Sequence, residues 1–120
     1  MIEFVHNVLG TDYDVKLGSR AELEMPIEYC GLCKEYTKEI LVCNDKENGI
    51  SDREMRERVK EILAHEIFHA YLNEAGLVIN HEDEERLCDF YMKNWRKLTN
   101  SMKEIVMEVS MKMESFDKSE

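Results

Sequence analysis

The sequence predicts an α+β fold: a small N-terminal antiparallel sheet of about three strands, followed by three helices. Two observations carry this expectation. Alternating runs of β-branched and aromatic residues are concentrated before Asn44, and apolar residues recur at helical spacing after Ser51. Ile2 to Leu9 is rich in β-formers, Gly10-Thr11-Asp12 is turn chemistry, and Tyr13 to Leu17 alternates apolar with polar, which makes a hairpin. Pro26 and Gly31 mark an irregular segment. A third strand is expected over Tyr36 to Cys43, leading into the polar loop Asn44 to Gly49.

Ser51 with Glu54 is a capping-box signature. Behind it, Val59, Ile62, Leu63, Glu66, Ile67 and Ala70 follow a helical period, and Gly76 suits the residue after the C-cap. A second helix is expected over Asp83 to Lys97, burying Leu87, Phe90, Tyr91 and Trp95. A third begins at the Ser101/Glu104 pair, with Met102, Ile105, Val106, Val109 and Met113 on one stripe that closes a core. Met107 and Met111 fall off that stripe, so the expected state is a monomer or weak dimer. Residues 1–114 form one domain and 115–120 a polar tail.

Charge and cysteine usage narrow the function. Twenty-six acidic against sixteen basic residues give a net charge of −10, the wrong sign for displacing counterions from nucleic acid. No apolar run approaches the roughly 20 residues that cross a bilayer, and Met1-Ile2-Glu3-Phe4 lacks the start of a secretory signal. The expected location is therefore cytoplasmic. Cys30 and Cys33 have C-x-x-C spacing, but Cys43 and Cys88 stand alone. A structural zinc knuckle needs a second ligand pair, so free thiols are expected.

His65-Glu66-Ile67-Phe68-His69 is an H-E-x-x-H motif within the first predicted helix. Residues four apart share a helix face, so two imidazoles can grip one metal. Glu66, about 100° further round, can reach a water on that metal and take its proton as general base. The expected cofactor is one catalytic Zn2+. Three protein donors leave a coordination position for water. The third donor comes from the segment Asn80 to Asp89. Glu85 is the first choice, with Asp89 one turn on to accept the other ring N–H of a zinc-bound histidine. His81 and Glu82 remain alternatives. An acidic helix start favoured by the macrodipole explains Glu82, Asp83 and Glu84.

His65 to His69 followed by Glu85 and Asp89 resembles the gluzincin pattern, and the chain more closely resembles the small ImmA/IrrE-type metallopeptidases of phages and prophages. The matching pieces are His65 to Ala70, a short link containing Gly76, and Glu85-Arg86-Leu87-Cys88-Asp89-Phe90, with Tyr29-Cys30-Gly31 and Tyr36 to Ile40 upstream. The resemblance implies a zinc-dependent peptidase acting on a protein or peptide substrate, in a phage or prophage regulatory setting. It further implies an edge strand that pairs with extended substrate, a role carried onto Glu39, Ile40, Leu41 and Val42. The competing expectation is a non-catalytic zinc-containing protein that sequesters a partner.

Overall fold

The computed structural model describes the backbone of residues 1–119 and the side chains of residues 1–115. It is an α+β fold, with strands β1 (Ile2–Val8), β2 (Thr11–Gly18), β3 (Gly31–Lys34) and β4 (Glu39–Cys43). The helices are α1 (Arg20–Leu23), α2 (Asp52–Glu74) and α3 (His81–Ser119). The four strands lie in the order β1-β2-β4-β3.

The β1–β2 hairpin turns on Leu9 and Gly10, both at positive φ (49° and 96°), as a two-residue loop between right-twisted strands requires. Asn7 secures it: its Oδ1 accepts from Gly10 N, and its Nδ2 donates to Asp12. β3 and β4 form a second antiparallel hairpin, and β4 then lies parallel to β2. The sheet is thus mixed, with one strand more than the sequence suggested. β3 escaped notice because its four residues are too few to show a period, and because Gly31 resembles a breaker.

β4 is central and covered on both faces. Ile40 and Val42 join Val8, Tyr13, Val15 and Ala70 in the core under α2, while Leu41 and Cys43 pack with Met25 on the other side. A strand buried on both faces carries an unbroken apolar run, which is why Ile40-Leu41-Val42 shows no alternation. Fully burying each such side chain stabilises the fold by roughly 1.5–3 kcal/mol.

Ser51 caps α2 by accepting from Glu54 N, and Gly76, at φ 70°, follows the C-cap Ala75. The far end of α2 is clamped to the sheet. Glu74 accepts from Thr11 Oγ1, from the Tyr13 hydroxyl and from Lys38 Nζ, each at 2.8 Å. These bonds hold the Glu74 carboxyl down at about 2, with the Lys38 contact foremost.

Beyond Gly76, Asn80 caps α3 through Asp83 N (2.9 Å). The two expected helices are one, running unbroken from His81 to Ser119. Thr99, Asn100 and Ser101 are weak helix formers, but each costs only about 0.7 kcal/mol or less inside a helix, and no Gly or Pro interrupts the ladder. The Ser101 cap signal is overridden by the continuing helix. The stripe from Met102 to Met113 closes no core, because its residues are 47–62% exposed. Leu87 and Phe90 are likewise exposed, and Cys88 is the side chain buried in their place. The expected tail is helical through Ser119, and Glu120 lies outside the described residues. Among the described residues, no helix is long and apolar enough to cross a membrane.

Candidate metal centre

α2 presents His65 and His69 one turn apart, with ring centroids separated by 5.0 Å. α3 runs back across them antiparallel and delivers a carboxylate between the two rings. Glu85 Oε1 lies 2.8 Å from His69 Nε2, and Glu85 Oε2 lies 3.3 Å from His65 Nε2. The other ring nitrogens face carboxylates too. His65 Nδ1 is 3.1 Å from Asp89 Oδ1, and His69 Nδ1 is 3.7 Å from Glu84 Oε1. Ligand atoms around a tetrahedral zinc at about 2.1 Å stand roughly 3.4 Å apart. The His65–Glu85 separation matches that edge, and the His69–Glu85 contact would widen to accept an ion.

The alternatives to Glu85 are placed differently. Glu82 is exposed and paired with Arg86 (2.9 Å), while His81 lines the cleft from the helix start. Glu84, which the sequence analysis assigned to the helix dipole alone, faces His69. Its neighbour Glu85 was the only available signal.

Cys88 is the residue that sequence reasoning missed. His65, His69 and Cys88 form a group able to hold a metal ion, their donor atoms all within 4.8 Å of one another. The Cys88 side chain is fully buried, and its thiol is pushed up to about 12, first by burial and then by Glu85, Glu84, Glu66 and Asp89. A neutral thiol beneath two imidazoles must lose its proton to become a ligand. Its position three residues past Glu85 was the overlooked clue. All four cysteines are free.

Glu66 is 8% exposed. Burial pushes its carboxyl up to about 7, against the pull of His69 and with a further push from Glu85. Gly31 of β3 passes directly over it. A Cβ at that position would stand 2.6 Å from Ile62 Cγ2 and 2.9 Å from Glu66 Cγ, so only glycine allows this approach. The histidines, Glu66 and Glu85 open onto a cleft of about 580 Å³ whose opposite wall includes Tyr29, Gly31, Leu32 and Cys33.

The substrate-strand role expected of Glu39 to Val42 is corrected here. β4 is hydrogen-bonded on both sides, to β2 and to β3, so its backbone has no free edge to offer. Ile40, Leu41 and Val42 are buried, and Glu39 pairs with Lys16. The edge strand beside the cleft is β3.

Comparison of the chain with protein-family models, curated proteins and solved structures finds no match in any of the three.

Proposed function

We propose that this chain is a zinc-dependent metallopeptidase, of the ImmA/IrrE type that its motifs resemble, hydrolysing peptide bonds in a protein substrate. The observation that carries the reading is the convergence of His65 Nε2, His69 Nε2 and the Glu85 carboxylate beside the buried Glu66. Zinc held by these three side chains would acidify water and polarise the scissile carbonyl. Asp89 Oδ1, 3.1 Å from His65 Nδ1, is within reach of that ring N–H, and accepting it would fix the tautomer that leaves Nε2 as the donor. Glu66 takes a proton from the attacking water at its carboxylate and passes it to the departing amine nitrogen. β3, as the edge strand, offers backbone groups to an extended peptide.

One observation favours a second reading, a zinc-containing binding protein without turnover. Cys88 Sγ lies close enough to both histidines to seal the position that catalysis needs open. Purified protein analysed for metal and incubated with an unfolded protein substrate separates the two. The peptidase carries about one zinc per chain. Glu66→Gln keeps the zinc while cleavage falls by about 10²–10⁴-fold. Full activity in Glu66→Gln would remove the general-base role, and metal-loaded wild-type protein that cleaves nothing would favour the binding reading.

A further inference from the structure

α3 outruns the rest of the molecule. Its 39 residues span about 58 Å at 1.5 Å per residue, close to the 63 Å longest dimension of the chain. The radius of gyration is 17.9 Å, where a compact chain of this length has about 14 Å. α2 and α3 run antiparallel, and Arg96 pairs with Glu57 near the start of α2. α2 reaches little more than a turn beyond that level, to Asp52, and α3 runs on past it.

We propose that this projecting segment pairs antiparallel with the same segment of a second copy, making the protein a two-fold dimer. At 100° per residue, Leu98, Met102, Ile105, Val106, Val109 and Met113 fall within an arc of about 100°, in line with Cys88, Tyr91 and Trp95. The stripe that packs the proximal half of α3 therefore continues, uncovered, along the distal half, where these six residues are 41–62% exposed. Six half-exposed side chains of this size present on the order of 500 Å² of apolar surface per copy, and two copies reach about 1,000 Å², the lower bound for a specific interface. The stripe leads at its root into an apolar cleft of about 380 Å³ between β1, α2 and α3, walled by Phe4, Tyr71, Tyr91 and Trp95. That cleft gives the partner's distal end a place to seat.

Charge sets the direction. Residues 93–103 carry Lys93, Arg96, Lys97 and Lys103 with no acidic residue, whereas 104–115 carry Glu104, Glu108 and Glu114 against Lys112 alone. Antiparallel pairing sets the basic half of one copy against the acidic half of the other. Parallel pairing stacks like on like. Lys97 and Glu108 stand about 80° and 60° beyond the same edge of the stripe, so the preference for direction comes from the summed charge of the two halves and not from one contact.

Sedimentation equilibrium on the full chain tests this. The expected species is twice 14.2 kDa at micromolar concentration. Ile105→Glu combined with Val109→Glu weakens association at least about 100-fold, while zinc content stays unchanged, since both residues lie outside the core and the metal centre. Spin labels on Ser115→Cys stand on the order of 30 Å apart in the antiparallel dimer, whereas parallel pairing brings them side by side. A wild-type chain that stays monomeric at high concentration overturns the proposal, as does a dimer indifferent to the Ile105/Val109 double variant. Ser115 labels found side by side overturn the antiparallel direction.

Discussion

Along one face of α3, Cys88 is fully buried and Tyr91 stacks on Phe68 with ring centroids 4.6 Å apart. On the same face further out, Ile105 and Val109 are about half exposed. The two halves share an apolar period and differ in whether α2 lies opposite. Periodicity identifies the face of a helix that seeks cover, and the length of the neighbouring element decides whether the chain supplies it. The polar flanks differ as well. In the proximal half, Glu84, Glu85 and Asp89 are turned towards two imidazoles, whereas in the distal half Glu108 meets Lys112 of its own helix.

Consequences of that contrast can be measured, beginning with the largest. Where the proximal half and β3 close over Glu66, burial holds its carboxyl up at about 7, against 4.5 in the unfolded chain. Between these values the folded state retains a proton that the unfolded state releases. The metal-free protein therefore loses stability as pH rises through this window, by on the order of 3 kcal/mol from Glu66. Urea midpoints of chelator-treated protein at pH 5 and pH 7 should show that loss in wild type and a much flatter response in Glu66→Gln. Equal slopes in the two proteins would mean that Glu66 is not dry. Glu74 works in the opposite sense. Its carboxyl is held down at about 2, so its contribution is present above pH 4.5 and disappears as pH falls towards 2.

Asp89→Asn comes next. Loss of the carboxylate that holds the His65 ring should weaken zinc binding by about 10–100-fold in a competition titration against a chelator. No change would show that Asp89 is merely near the ring. The smallest effect compares the two halves of α3 directly. Tyr91→Ala should cost about 2 kcal/mol in chemical denaturation, because half of a stacked ring is removed from an interface. Ile105→Ala, measured at concentrations low enough to keep the chain monomeric, should stay within about 0.5 kcal/mol. Comparable losses at both positions would mean that the distal stripe is covered within a single chain.

How much was legible in the sequence follows from the range of each signal. His65, Glu66 and His69 were readable because their convergence needs only one helix turn. Glu85 and Asp89 were readable because their spacing repeats that turn on the next helix. Cys88 was missed because a cysteine between acidic residues looks like packing until its partner helix is in place. β4 was located as a strand, but its central position was not, since strand order depends on β3, which has four residues and no period. The edge position was accordingly expected of β4, whereas β3 holds it. α3 was cut in two because a cap signature is local, while the uninterrupted helix around Ser101 is not. The uncovered stripe could not be foreseen, because an amphipathic pattern is silent about what lies across from it.

The most direct measurement is X-ray absorption at the zinc edge of metal-loaded protein, with Cys88→Ser as the companion variant. An open catalytic site gives a shell of nitrogen and oxygen only, at about 2.0–2.2 Å, with two imidazoles and no change in the variant. A sulfur at about 2.3 Å that vanishes in Cys88→Ser would show the fourth position closed by the protein, and would contradict peptide hydrolysis at this centre.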